Sequence, residues 1–198
     1  MRPRITVFAG PNGAGKSTLR AHLYLNHSHP FVNADEIAKE EGLGAYQAAE
    51  LAAKVRSSYV EEGSSFMFET ILSDPVGAKV AFLEDCQSKG FEIVVHFVGL
   101  DSVERSRARV TQRVLHGGHD VPDDKIQSRY PRTIANLIRL IPVCDQLLVY
   151  DNSSYETPYQ LLARFEKGSL KQIAQSLPEW IRKVGLAGMA SDETESIR

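Results

Sequence analysis

The sequence predicts a three-layer α/β protein: a five-stranded parallel sheet with helices on both faces and a helical, arginine-rich lid. Three observations predict it. Strand-like and helix-like segments alternate along the 198 residues. The strand candidates are continuous apolar runs rather than alternating ones, as expected where both faces of a sheet are covered. Basic residues concentrate between positions 102 and 139, where eight Lys/Arg stand against four Asp/Glu. A single domain over residues 1–185, with the lid at about 102–139 and a flexible polar tail at 186–198, accommodates all of this.

Each element has a local reason. "ITVFA" (5–9) is a short β-branched run that stops at Gly10, and "STLRAHLYLN" (17–26) is helix-like. "PFVNA" (30–34) is a short strand candidate. The Ala-rich stretch 45–63 reads as a helix ending at Gly63, followed by the apolar run "SSFMFET" (64–70). Residues 75–90 read as a helix that opens with Pro75 and closes at Gly90. "FEIVVHFVGL" (91–100) is the clearest strand. A charged helix at 102–118 ends in glycines, and 123–141 is helical in pattern, with Pro131 expected to kink or divide it. "DQLLVYDNS" (145–153) is the fifth strand, and 158–185 is read as terminal helices.

Bulk properties exclude several classes. Hydrophobic content is 42%, charged content 24% and net charge −2, so no global basic field argues for nucleic acid or an anionic membrane. Cys86 and Cys144 stand apart, without a CxxC, which fits a reducing compartment and gives neither a disulfide framework nor a zinc site. The apolar run after the basic start is too short for a signal peptide, and no run approaches the roughly 20 residues of a membrane span. The expected location is the cytoplasm.

The strongest motif is Gly10-Pro11-Asn12-Gly13-Ala14-Gly15-Lys16-Ser17, followed by Thr18. It matches G-x-x-x-x-G-K-[ST] and lies directly between a strand and a helix. Its glycines let backbone N–H groups curl around phosphates, and the helix N-terminus adds partial positive charge. Lys16 is expected to reach the β- and γ-phosphates of ATP, and Ser17 to ligate Mg²⁺. No guanine-reading [NT]KxD follows a strand, and no run of four apolar residues ends in Asp-Glu. That favours a small kinase over a mechanical ATPase.

Other residues stand where an acceptor would lie, at the carboxyl ends of strands. Asp35 follows "FVNA" and is a candidate general base; its bland alternative is a helix N-cap. Glu69 and Thr70 finish the next strand. Glu69 suits a substrate hydroxyl or a metal-bound water, or else is a rim carboxylate in a salt bridge. Arg105, Arg109 and Arg113 recur every four residues and share a helix face, and beyond "HGGHDVP" come Arg129 and Arg132. Such a group describes a lid that spreads transition-state charge, with a solvated basic face as the alternative. His116 and His119 have no third metal ligand nearby. Asp151-Asn152-Ser153 is either an Asx-type turn or a contact to the adenine base.

Taken together, "AGPNGAGKST", "NADEIA", "FMFETILS", "VVHFVGL", "RVTQRVLHGGHDVP", "IQSRYPRTIANL" and "VYDNSS" make the sequence resemble the zeta-toxin family of P-loop kinases over roughly residues 5–153. The resemblance implies an ATP- and Mg²⁺-dependent transfer of phosphate to a hydroxyl of a UDP-amino sugar such as UDP-N-acetylglucosamine. It implies Asp35 as base, Glu69 and Thr70 as acceptor ligands, and Arg113 and Arg129 as phosphate clamps, with Arg109 and Arg132 as alternates. It also implies a separate antitoxin protein as partner. The family's "EGT" is replaced here by "ETI", which leaves another sugar, a nucleoside or a small metabolite as alternative acceptor, and a nucleotide-dependent regulatory module as the non-enzymatic alternative.

Overall fold

The computed structural model describes residues 2–24 and 29–184. The tail expected at 186–198 lies outside the described residues, as do the last residues of the first predicted helix. The element order is β1 (Arg4–Ala9), α1 (Lys16–Leu23), β2 (Phe31–Val32), α2 (Ala34–Glu41), α3 (Ala45–Glu61), β3 (Phe66–Thr70), α4 (Ala78–Ser88), β4 (Glu92–Gly99), α5 (Val103–Leu115), α6 (Asp123–Leu140), β5 (Gln146–Asp151), β6 (Gln160–Glu166), β7 (Ser169–Ile173) and α7 (Glu179–Lys183).

One sheet runs in the order β2-β3-β1-β4-β5-β6-β7. The five predicted strands are all parallel. The other two correct the expectation of five: β6 and β7 add an antiparallel hairpin where terminal helices were expected. The reason is local. Lys167 and Gly168 both have positive φ (48° and 81°), and Glu166 pairs with Ser169, so the two residues form a tight hairpin turn of the kind that matches strand twist. Phe165 and Leu162 then bury themselves against the main core.

That core lies on one face of the sheet. Ile5, Val7, Phe66, Phe68, Ile93, Val95, Phe97 and Leu147 from the strands meet Ala52 of α3, Leu83 of α4, Leu137 and Leu140 of α6, and Ile181 of α7. Pro131 neither ends nor divides α6, which runs on for 18 residues. Proline removes one backbone donor, and packing of Thr133, Asn136 and Leu137, all buried, holds the helix through it. Pro75 stands outside α4, whose N-cap is Gly77 at φ 79°.

On the other face α1 places Leu19 against Val98 and Leu100. Beyond α1 this face opens into a depression of about 930 Å³ that includes Tyr24, His96 and Leu148. His96 is 6% exposed and stacks on Phe8 at 5.2 Å. Its Nε2 lies 3.2 Å from Tyr24 Oη and its Nδ1 3.2 Å from Tyr150 Oη. Burial pushes its pKa down from 6.5 to about 4. The native state therefore binds fewer protons than the unfolded chain between those values. The expected result is a stability contribution fully present above pH 6.5 and lost as pH falls towards 4, about 3 kcal/mol in total. Urea melts at pH 7 and pH 5 check it: wild type weakens over that step, and His96→Gln shows a smaller loss. An equal loss in both proteins assigns the acid sensitivity elsewhere.

Candidate active site

The predicted phosphate loop lies between β1 and α1 at the carboxyl edge of the sheet. Two of its glycines are obligatory on steric grounds. At Gly10, φ 142°, a Cβ would lie 2.1 Å from the Val98 carbonyl oxygen. At Gly15, φ 91°, it would lie 2.6 Å from Tyr159 Oη. The loop's carbonyls are fastened from outside. Ser106 Oγ donates to Asn12 O at 2.6 Å, Asn152 Nδ2 to Ala14 O at 2.8 Å, and Tyr159 Oη to Gly15 O at 3.0 Å. Within the loop the Ala14 N–H donates to Pro11 O at 3.3 Å; with the three carbonyls held from outside, the loop's other N–H groups can face an anion.

Sequence reasoning missed Tyr159 and singled out Asn152, but as part of an Asx-type turn or an adenine contact rather than as a tie to the loop backbone. Asp151 accepts from Trp180 Nε1 at 3.1 Å and from Ser153 Oγ at 2.5 Å, so the "DNS" run is a structural clasp rather than an open base-binding loop. Removing the Asn152 amide strands the Ala14 carbonyl. The expected result for Asn152→Ala is a loss of about 1–3 kcal/mol in stability together with weaker ATP binding, read by urea melts and nucleotide titration. Unchanged ATP affinity would show that the clasp does not shape the loop.

Lys16 is buried, and its Nζ donates to Pro11 O at 3.0 Å and lies 3.6 Å from Glu69 Oε1. Burial holds the ammonium below its ordinary pKa; Glu69 opposes that shift, Arg113 adds to it and Asp35 opposes it. Ser17 Oγ donates to Glu69 Oε2 at 2.7 Å. Glu69 therefore stands at the end of the strand beside β1 and touches both functional side chains of the loop. The ion pair expected as the alternative is present, with Lys16 as the partner.

A cavity of about 470 Å³ opens over the loop, bounded by Gly13, Lys16, Ser17, Thr18, Arg109 and Arg113. The Arg109 guanidinium lies 4.8 Å from the Tyr155 ring centroid, and Arg113 donates to His119 O at 2.6 Å across the α5–α6 turn. Arg105 leaves the group: it is held by both carboxylate oxygens of Asp101. Arg107 pairs with Asp123 and links α5 to α6.

A second cleft, about 590 Å³, lies alongside, and Glu69 lines both cavities. Asp35, Thr70, Arg129 and Arg132 line this second one. The structure thus divides the predicted arginines: Arg109 and Arg113 face the loop cavity, whereas Arg129 and Arg132 face the cleft. Asp35 is not the helix cap. Asn33 is, accepting from Asp35 N at 2.8 Å, and the Asp35 side chain is exposed. Thr70 Oγ1 accepts from Leu72 N at 3.0 Å, and Leu72 takes the uncommon φ of 59°. Thr133 and Asn136 of α6 hold that turn by its carbonyls, donating to Ile71 O at 2.8 Å and Leu72 O at 2.9 Å. Backbone strain held in place by its surroundings is common at functional sites. Both cysteines are buried free thiols, and among the described residues no three His, Cys, Asp or Glu cluster as a metal site. No described helix is long and apolar enough to cross a membrane.

The sheet with five parallel strands and β1 beside β3, the loop and the flanking arginine helices give the chain the P-loop kinase fold. Residues 28–157 match the family model described as Zeta toxin, more than half of the chain. The protein belongs to the zeta toxin family. The matched stretch begins after the phosphate loop, so loop and family match are independent observations. A Haemophilus influenzae protein, described as uncharacterized, is 26% identical over 135 residues, covering 66% of this chain and 94% of that one.

Solved structures share the fold at low identity. The crystal structure of AvrRxo1-ORF1:-ORF2 with ATP aligns at a TM-score of 0.69 and 14% identity, over 92% of this chain and 63% of that chain. This chain therefore spans less than two thirds of that relative. The PezAT toxin–antitoxin system of Streptococcus pneumoniae aligns at 0.59 and 14% identity, over 100% and 88%. A putative kinase from Chloroflexus aurantiacus aligns at 0.56 and 19% identity, over 79% and 92%.

Proposed function

We propose that this chain transfers the γ-phosphate of ATP to a hydroxyl of a small molecule held in the 590 Å³ cleft, with a UDP-amino sugar such as UDP-N-acetylglucosamine as the first acceptor to test. The observation that carries the reading is that two cavities adjoin at Glu69, one over a phosphate loop and one carrying an exposed carboxylate, Asp35. A nucleotide in the first and a hydroxyl compound in the second would meet there. In the transfer, the acceptor oxygen forms a bond to the γ-phosphorus and its proton passes to Asp35. The bond from that phosphorus to the β–γ bridging oxygen breaks, and ADP leaves with the electron pair.

Lys16, Arg109 and Arg113 balance the charge that spreads over the phosphoryl oxygens, and Arg129 and Arg132 hold the acceptor. The hydroxyl of Ser17 and the carboxylate of Glu69, 2.7 Å apart beside the loop, are hard oxygen donors that suit Mg²⁺. When bound there, Mg²⁺ would neutralise phosphate charge. The helices α5 and α6 serve as the lid. The PezAT system is a toxin with an antitoxin, and a separate antitoxin protein is the partner proposed for this chain.

The test is phosphoryl transfer from labelled ATP to a panel of UDP-sugars, nucleosides and simple sugars. Label on UDP-N-acetylglucosamine supports the full reading. Label on another acceptor keeps the mechanism and changes the substrate. ATP binding with no label on any compound favours a regulatory module instead.

A further inference from the structure

The acceptor cleft contains a cation that the roles above leave unused. Arg56, on α3, is only 6% exposed and lines the cleft. Its guanidinium carbon lies 5.1 Å from the Phe68 ring centroid and 6.0 Å from that of Phe82, so aromatic faces support it from below. Burial alone holds its pKa below the ordinary arginine value, with no carboxylate acting against that shift. A buried charge without an ionic partner is costly.

The neighbour makes matters worse for it. Lys79 of α4 is half-buried in the same cleft, and its pKa is lowered first by burial and next by the charge of Arg56. The nearby carboxylates compensate only in part: the charge of Asp74 opposes the shift at Lys79 but ranks below burial and Arg56. Asp74 caps the start of α4, accepting from Ala78 N and, at 3.4 Å, from Lys79 N. Glu69 is held by Ser17 and Lys16. Across the cleft, Lys125, Arg129 and Arg132 of α6 add further positive charge.

Resting on the reading of this cleft as the acceptor site, we infer that Arg56 and Lys79 form an anion subsite, and that the acceptor carries a phosphate or carboxylate group besides the hydroxyl it presents to Asp35. Two repelling cations, one of them buried, gain a shared counter-charge from such a ligand. The aromatic support leaves the planar guanidinium poised for two-point contact with an oxyanion. A neutral sugar offers nothing to this pair, so the subsite selects against it.

The test separates binding from transfer. With the phosphate loop saturated by a non-hydrolysable ATP analogue, pyrophosphate and citrate are titrated into wild type, Arg56→Met, Arg56→Lys and Lys79→Met. Wild type takes up one of these anions at a second site, and whichever binds identifies phosphate or carboxylate chemistry. Arg56→Met, which keeps the stacking length without the charge, weakens that binding by about 10–100-fold, and Arg56→Lys loses less. Should Arg56→Met fail to fold, Lys79→Met decides, with a severalfold loss expected. Unchanged anion affinity in the folded variants, or no second site in wild type, overturns the inference. In the transfer arm, N-acetylglucosamine is compared with UDP-N-acetylglucosamine and gluconate. Equal label on the neutral sugar overturns the subsite while leaving the kinase reading intact. Anion binding lost in the variants, with no label on any acceptor, supports the subsite and rejects the transfer.

Discussion

Asp35→Asn is expected to leave ATP binding within a few-fold of wild type while cutting phosphoryl transfer by about 10²–10⁴-fold, the usual worth of general-base catalysis. The substitution is nearly isosteric, and the fold makes little use of the carboxylate. Asn33 caps α2, and Asp35 contributes its backbone N–H to that cap rather than its side chain. The loss at the helix N-terminus is confined to a favourable charge in the first turn, about 0.3–1 kcal/mol. Asp35 also supports the charge on Lys16, but it is a weaker influence there than burial, Glu69 or Arg113. ATP binding is therefore spared. Single-turnover transfer of label, with ATP affinity measured in parallel, reads both quantities. A variant that transfers phosphate within tenfold of wild type would remove Asp35 as the base and turn attention to Glu69, the carboxylate that lines both cavities.

What the sequence revealed depended on how local the chemistry was. The phosphate loop was legible because its glycines, Lys16 and Ser17 are consecutive and its conformation follows from them. The five parallel strands were legible because each is an uninterrupted apolar run. Glu69 was placed correctly at a strand end, but its tie to Ser17 spans 52 positions and no spacing rule announces it. Asn152 is singled out in the sequence within "DNS", but its bond to the loop spans 138 positions and no spacing rule announces that either. The arginines were recognised as a group, because helical spacing puts Arg109 and Arg113 on one face. Which cavity each serves is set by how α5 and α6 flank the sheet, and that is tertiary information. Arg56 was hidden in an Ala-rich helix, where an isolated arginine reads as a surface residue. The β6–β7 hairpin is a different case. Its signal, Lys167-Gly168 between two apolar segments, is present in the sequence, within the stretch 158–185 that reads as terminal helices.

Lys16→Met is expected to reduce ATP turnover by at least about 10²–10³-fold while leaving the protein as stable as wild type or more so. Lys16 is buried, and burial is the largest influence on its ammonium. Because the folded pKa lies below the ordinary 10.5, the native state binds fewer protons than the unfolded chain between those two values. Stability then rises with pH through that window, and at neutral pH the charge is a net burden on the fold. Methionine fills similar space without that burden. Glu69 loses an ion pair but keeps the Ser17 hydroxyl at 2.7 Å, which limits the opposing cost. Thermal melts at pH 7 and pH 9.5 check the physical half: the variant matches or exceeds wild type at pH 7, and the stabilisation that wild type gains on the alkaline side is smaller in it. Nucleotide titration and turnover check the functional half. A melting temperature several degrees below wild type would mean that Lys16 serves the fold through Pro11 and Glu69. An unchanged turnover would remove it from the phosphate site. The combination of lost turnover and retained stability is the signature of a residue kept in an unfavourable place for its chemistry, as expected for a lysine whose counter-charge is the phosphate of a bound nucleotide.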